Sequence, residues 1–338
     1  MISGNDRAIY ALVTSVLGEG NGKRVLNCLA IEEALLNERG NQVSRAAFAM
    51  AMNVALFHDL LDRVPSGADY VRDVAAQNRR VTFDHGALRT VRFAEGPTGG
   101  LPAGQDAFAR IFIPLGYEMA AIYPLERLGM TGRAYRHIDA PEAIPQFFLS
   151  ELHVDRFDPA FGEVAWRVFG TSRDPLDNKA KALLDDYAAG RPVNLETATE
   201  VLPTILAAFD RQHEPAAFED YELLRSRSNE AAWIATEGNA FNHATDRVPD
   251  VAALASRLKS ENRPMKEKLE ISASGRVRQT AFRADSVQRP FADGIFRTVP
   301  GSFYEFISRD VDPAVGALDL AFDTGNATGI FAMTSAAP

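Results

Sequence analysis

Cysteine is almost missing from this chain: Cys28 is the only one in 338 residues. No disulfide framework can form within it, and no thiolate zinc site. Any bound metal must therefore be held by His, Asp and Glu. Positive charge is also short, with 36 Lys and Arg against 45 Asp and Glu and a formal net charge of −9. Nucleic acids and anionic membranes are bound through clustered Lys and Arg, so neither is an expected partner. Long apolar runs are missing too. Residues 9–17 are apolar but end at Gly18, and no stretch approaches the roughly 18 to 20 residues of a membrane span. Asp6 and Arg7 precede this run, which has no basic n-region and no small-residue cleavage site, so it does not read as a signal peptide. There is no fixed-period repeat and no low-complexity segment. The expectation is a soluble, reduced, cytoplasmic protein.

What is present is ordinary globular material. Apolar residues make up 46% and charged residues 24%, which places the chain among folded domains rather than disordered segments. Its length suits one large domain or two smaller ones. The first eighty residues read as helical, with Ile31, Ala34 and Leu35 at helical spacing and a stretch rich in Ala, Met, Leu and Phe over 43–61. From Arg80 the texture changes, and 81–93 is thick with β-branched and aromatic residues. A loop follows at 96–102, then a helix over 105–112, an extended segment to Tyr123, and a strand over 147–157. Residues 173–232 read as helical again. Strands are predicted over 241–248, 268–273, 276–285, 295–309 and 329–334. Blocks of strands separated by blocks of helices predict an α+β fold. The division reads as an N-terminal helical part (1–79), a sheet core (80–172 and 233–338) and a helical insertion (173–232), all within a single metalloenzyme domain.

Several motifs carry less than they suggest. Gly18-Glu19-Gly20-Asn21-Gly22-Lys23 lacks the first glycine of a phosphate loop, and Arg24 stands where Ser or Thr would follow the lysine. A helix-to-helix turn is the better reading. His213-Glu214 falls in a polar connection and reads as exposed. His58 lies inside an apolar helix and reads as a core or boundary histidine. The role of His137 is open. His153 alternates with Glu151 and Asp155, which imitates a metal site but suits a solvated face equally well.

Three segments carry chemistry. In Asp84-His85-Gly86-Ala87-Leu88-Arg89, strand alternation puts His85, Ala87 and Arg89 on one face. At about 3.3 Å per residue, the His and Arg backbones stand about 13 Å apart with a small residue between them. A short acidic ligand fits that span, held at one end beside the histidine and at the other by a guanidinium fork. Asn242-His243-Ala244-Thr245 is the second segment. The third, Phe303-Tyr304-Glu305-Phe306-Ile307, carries one carboxylate among apolar neighbours, and a buried carboxylate requires a cation. Arg278, Arg297 and Arg309 are the bland partners; a metal is the sharp one. Two histidines and one carboxylate from separate strands form the facial triad that suits non-haem Fe(II) and leaves positions open for substrate and O2. Zinc with two His and one Glu competes. A different divalent-metal enzyme (lyase, isomerase or hydrolase), or a non-catalytic binding protein, remains as an alternative.

These segments resemble the DUF1338 family, the 2-oxoadipate dioxygenase/decarboxylases or hydroxyglutarate synthases. The resemblance rests on His85-Gly86-Ala87-Leu88-Arg89-Thr90, Phe148-Leu149-Ser150-Glu151-Leu152, Asn242-His243-Ala244-Thr245, Arg278-Gln279-Thr280 and Tyr304-Glu305-Phe306, in that order. It extends to Thr324-Gly325-Asn326-Ala327-Thr328-Gly329-Ile330-Phe331. The residues that follow, Ala332-Met333-Thr334, depart from the family's acidic and serine-containing close. The resemblance implies a core similar to the vicinal oxygen chelate fold with helical additions. It implies His85, His243 and Glu305 as ligands to Fe(II), and Arg89 as substrate clamp and catalytic residue. Gln279, Ser150 and Tyr304 follow as further substrate contacts. The implied reaction converts 2-oxoadipate and O2 into 2-hydroxyglutarate and CO2, in lysine catabolism.

Overall fold

The structure, a computed structural model, describes residues 7–322. Its centre is a curled eight-stranded sheet. The strands in chain order are β1 (Phe83–Arg92), β2 (Tyr117–Leu125), β3 (Met130–His137), β4 (Gln146–His153), β5 (His243–Arg247), β6 (Glu270–Ile271), β7 (Val277–Ala281) and β8 (Phe303–Arg309). Across the sheet they run β2-β3-β4-β1-β5-β8-β7-β6. β4 lies parallel beside β1, and β8 lies parallel beside β5. The two central strands, β1 and β5, pair antiparallel with each other.

Each half of the sheet repeats one path. A central strand leads into a helix, two antiparallel strands form the outer edge, and a fourth strand returns parallel to the first. The helix is Asp106–Phe112 in the first half and Val251–Ser260 in the second. Parallel return needs a long connection, and the intervening helix and hairpin supply it. The chain shows no fixed-period repeat because about ninety residues separate β4 from β5, and a further hairpin, Ser286–Pro290 with Phe296–Pro300, interrupts the second half.

Two faces of the sheet are covered differently. Helices α1 (Ala8–Cys28), α2 (Arg45–Arg63) and α3 (Pro65–Ala76) pack on the outer face. α2 begins at Ser44, whose side chain accepts from the Ala47 N–H, the arrangement that satisfies one orphan helix donor. Its apolar side buries Phe57 against Phe83 and Tyr304. α1 bends at Gly18, where φ is +75°, so the glycine-rich stretch is a junction between two helical pieces, as its sequence predicts. The region 173–232 contributes Asn178–Ala188, Leu195–Ala207 and Phe218–Arg227; the first two join α1 and α2 in the same core. A second core, built from Pro159–Phe169, Phe218–Arg227 and Asn229–Glu237, closes the sheet where β1, β3 and β4 present Val91, Met130 and Leu152.

Three strand boundaries differ from expectation. The 147–157 strand stops at His153, where Val154–Arg156 turns as a 3-10 helix. The 276–285 strand ends at Ala281, and 295–309 divides at Gly301-Ser302 into a hairpin arm and β8. At that break the Trp233 Nε1–H donates to the Gly301 carbonyl at 3.0 Å, so a side chain takes the place of a ladder bond. The strand expected over 329–334 and the matching segment from Thr324 lie outside the described residues.

Candidate metal centre

The three expected ligands converge at the centre of the sheet. His85 comes from β1, His243 opens β5 and Glu305 sits in β8. Register explains the meeting: His85 lies opposite Thr245, and Thr245 lies opposite Glu305. These three therefore share one row of one face, and His243 stands one row away on the same face, opposite Ala87 and Phe303. The Glu305 Oε2 lies 3.3 Å from His85 Nε2 and 3.5 Å from His243 Nε2. One donor atom from each residue falls within 4.8 Å of the others. All three side chains are buried.

No arginine answers Glu305. Arg278 pairs with Asp310, Arg297 with Asp293, and Arg309 with Asp84. The Thr245 hydroxyl donates to Glu305 Oε2 at 2.7 Å, while Oε1 is buried without a hydrogen-bond partner among the described residues. Such a carboxylate is costly unless a cation joins it. Burial works to raise the Glu305 pKa, yet the flanking His243 and His85 and the Thr245 hydroxyl hold it below the usual carboxylate range. Burial likewise pushes His243 down to about 3, so its ring is neutral, as a metal ligand must be. At His85 burial pulls downward, but Asp84 and Glu305 outweigh it and the pKa rises. Two carboxylates thus call for positive charge at this point, which a divalent ion would supply. The donor set fits a metal.

Residues behind the ligands orient them. Asp84 is the extra residue of a β-bulge between Phe83 and His85, and the bulge lets adjacent residues serve one site. Its Oδ1 lies 2.8 Å from His85 Nδ1. Asn242 reaches His243 Nδ1 at 3.2 Å. Arg309 holds Asp84 through contacts of 2.9 to 3.1 Å. The carboxylate–histidine arrangement is the one that fixes tautomer and ring direction at metal sites.

Arg89 shares the face of His85 and Ala87, two rows from His85 and Glu305 and one row from His243. It is fully buried, its guanidinium lies 4.8 Å from the Trp233 ring centroid, and Asn239 Nδ2 donates to its carbonyl. Burial lowers its pKa to about 10, against the raising influence of Glu230. It stays charged, and its charge helps to depress His243. Ser150 lies opposite Arg89 in the parallel β4 and shares its face. Gln279 is also on this face, opposite Ile307, but its amide donates to Glu270 Oε2 at 3.2 Å.

Tyr304 corrects the expected set of substrate contacts. It points through the sheet into the outer core, against Phe57, Tyr70 and Phe306. Strand alternation requires this, because its neighbour Glu305 faces the centre.

The remaining histidines hold other places. His213 corrects the expectation of an exposed residue: it is buried, bonded to the Ala235 carbonyl at 3.1 Å, edge-on to Phe169, and lowered to about 4 by burial. His58 lies at the boundary beside Asp62, and His137 is buried edge-on to Tyr117. His153 lies 2.9 Å from Thr131 Oγ1. Its neighbour Glu151 is fully buried between Arg92 and Arg133, while Asp155 is exposed, so the trio is split between the interior and the surface. Asp84, Trp233, Arg309 and Phe322 were not legible as site residues, since each depends on a bulge, a helix docking or a chain crossing.

Known proteins resemble this chain over most of its length. A family model described as 2-oxoadipate dioxygenase/decarboxylase matches residues 47–314, which hold all three candidate ligands and Arg89. A chloroplastic 2-oxoadipate dioxygenase/decarboxylase of Arabidopsis thaliana is 25% identical over 358 aligned positions, covering 93% of this chain and 86% of the relative. A protein ascribed to the glyoxalase superfamily from Ralstonia eutropha JMP134 superposes with a TM-score of 0.89 at 48% identity, covering 94% of this chain and 99% of that one. Hydroxyglutarate synthase from Oryza sativa, solved with 2-oxoadipate, superposes with a TM-score of 0.68 at 21% identity, covering 88% and 96%. The α+β core similar to the vicinal oxygen chelate fold is thus found in solved relatives. With the family's pattern matched over most of its length and the ligands meeting on one sheet face, this chain belongs to the 2-oxoadipate dioxygenase/decarboxylase family.

Proposed function

We propose that this protein is an Fe(II)-dependent dioxygenase that oxidatively decarboxylates a 2-oxo dicarboxylic acid. The substrate of this reading is 2-oxoadipate, and the products are 2-hydroxyglutarate and CO2. The observation that carries it is Glu305, a fully buried carboxylate answered by two imidazoles and no arginine or lysine. The name of the Arabidopsis relative and the 2-oxoadipate bound in hydroxyglutarate synthases from rice and Pseudomonas putida support the substrate. The setting we propose is lysine breakdown in the cytoplasm, with the 2-oxo acid and O2 as the partners.

His85, His243 and Glu305 would hold the ion. The chemistry a bound Fe(II) supplies is Lewis acidity towards the keto acid and redox access to O2. The protein's own residues do the rest. Asp84 accepts the Nδ1 proton of His85 and so directs the Nε2 lone pair inward. A half-turn of the Asn242 amide offers Oδ1 to His243 Nδ1 and does the same there. Thr245 donates to Glu305 Oε2, the oxygen beside both imidazole Nε2 atoms, and so fixes the direction of the carboxylate. Arg89 binds the distal carboxylate in its fork and fixes which carbon faces the centre. Ala87, between His85 and Arg89, leaves room for the carbon chain, with Phe148 and Phe303 beside it on the same face. One 2-oxoadipate and one O2 balance one 2-hydroxyglutarate and one CO2, so no further co-substrate is required.

The test is anaerobic reconstitution with Fe(II), addition of 2-oxoadipate, then admission of O2. The expected result is one O2 consumed and one CO2 released per 2-oxoadipate, with zinc-loaded protein inactive. Tight iron binding without turnover of any 2-oxo diacid would reject the substrate, and turnover without O2 would reject the reaction.

A further inference from the structure

Behind the ligands, the chain returns to cover the centre. Residues 319–322 cross the mouth of the sheet, where Arg276 Nε donates to Asp319 Oδ2 at 2.8 Å. Gln146 Nε2 donates to the Leu320 carbonyl at 3.3 Å, and the Phe322 N–H donates to the Tyr123 hydroxyl at 2.9 Å. The Ala321 N–H donates to Asp319 Oδ1 and the Asp319 N–H to the Asp310 carbonyl. Phe322 stands edge-on to the His85 ring at 4.8 Å and packs on Phe148 at 4.9 Å.

Arg309 joins this segment to the metal ligand. Its side chain is wholly buried. Nη1 donates to the carbonyls of Asp319 and Ala321, both at 2.8 Å. Nε and Nη2 grip the Asp84 carboxylate, and Asp84 in turn orients His85. The guanidinium also lies 5.3 Å from the Phe322 ring centroid. A planar fork with five fixed donors can serve both partners only in one orientation. If 319–322 leaves its seat, Nη1 loses two buried acceptors and the guanidinium loses the reason to hold that orientation. If Asp84 turns, the same guanidinium loses its counter-charge.

We infer that Arg309 is a positioning residue that couples the seating of residues 319–322 to the orientation of His85, so that metal binding and closure over the centre stabilise each other. The inference rests on the metal-centre reading of His85. Linkage is reciprocal: whatever tightens the segment tightens the metal, by the same factor.

The experiment follows amide exchange at Asp319, Ala321 and Phe322 in the full chain, with and without Co(II) as the probe ion, alongside Co(II) titration. In the wild type, saturating Co(II) slows exchange at these amides. Arg309→Met speeds their exchange, abolishes their response to Co(II), and weakens Co(II) binding about tenfold, the usual scale for loss of an outer support. Arg309→Lys, which keeps charge without the fork, falls between. Tyr123→Phe loosens the segment from the far edge of the sheet and weakens Co(II) binding in step with the faster exchange. Unchanged Co(II) affinity in Arg309→Met with a loosened segment would overturn the coupling. So would wild-type exchange indifferent to Co(II), a result that needs no variant to fold. Absence of saturable Co(II) binding by the wild type is a different outcome, and overturns the metal-centre reading together with the inference built on it.

Discussion

Glu305 and Arg89 are both fully buried charges, and their surroundings separate them. Arg89 has an aromatic face and an acidic neighbour in Trp233 and Glu230, whereas Glu305 has two imidazoles and the Thr245 hydroxyl. Removing one member of a buried ion pair destabilises by about 3–5 kcal/mol, but Glu305 is held by imidazoles and a hydroxyl rather than by a guanidinium or ammonium, so its loss should cost less. Glu305→Gln should therefore destabilise the metal-free protein by less than that in urea unfolding while metal titration shows loss of binding. A large drop in metal-free stability would mean that Glu305 has a protein cation after all. For Arg89→Lys the expectation is a rise in KM for the diacid of about tenfold or more, because a point charge replaces a bidentate fork. The effect on a 2-oxo monoacid should be small. Trp233→Leu should shift KM in the same direction by a smaller factor, as a cation–π contact is worth about 0.5–2 kcal/mol. Equal effects on diacid and monoacid would remove Arg89 from the distal carboxylate.

At the scale of the element, β1 is packed closely on both faces. A Cβ at Gly86 would overlap the Phe241 ring, so Gly86→Ala should destabilise by about 1–3 kcal/mol through overpacking, read as a lower urea midpoint at unchanged slope. In β5, Asp246 faces the outer core, where the Tyr70 hydroxyl donates to it at 2.7 Å. Burial, opposed by the bonds from Tyr70 and the Thr82 N–H, raises its pKa to about 6. A carboxyl with a raised folded pKa binds its proton more tightly in the native state, so this group lowers stability as pH rises from about 4 to 6 and keeps the loss above that. The stability of Asp246→Asn relative to wild type should accordingly improve between pH 4 and 7; a pH-independent difference would show that Asp246 ionises normally.

These strands also show where the sequence was readable. His85, Arg89, His243 and Glu305 stand out because each is a polar residue at an inward position of an apolar strand, and the period of two assigns faces without knowledge of the partner. The same period argues against Tyr304 at the site. Asp84 escapes that logic because a bulge breaks the period beside His85. Trp233 and Arg309 escape it because their positions come from helix docking and from the returning chain. His213 misleads because a polar segment folds beneath Phe169.

Across the whole molecule, two copies of one strand path meet along β1 and β5, and the ligands gather at that seam with two from the central strands and one from a returning strand. The helices of the outer core and the second core around Trp233 hold the seam from opposite faces. Because the ligands come from both halves, a bound metal should report on global folding. At a free ion concentration of a hundred times Kd, linkage predicts about 2.7 kcal/mol of added stability, seen as a higher Tm in the wild type and as no shift in Glu305→Gln.

The central claim is the convergence of three distant side chains on one ion. An anaerobic crystal structure of the Fe(II)-loaded protein tests it most directly. The expected result is iron bound by His85 Nε2, His243 Nε2 and a Glu305 oxygen at about 2.0–2.2 Å, with Asp84 still on His85 Nδ1. Iron bound elsewhere, or Glu305 turned to a guanidinium or an ammonium, would contradict it.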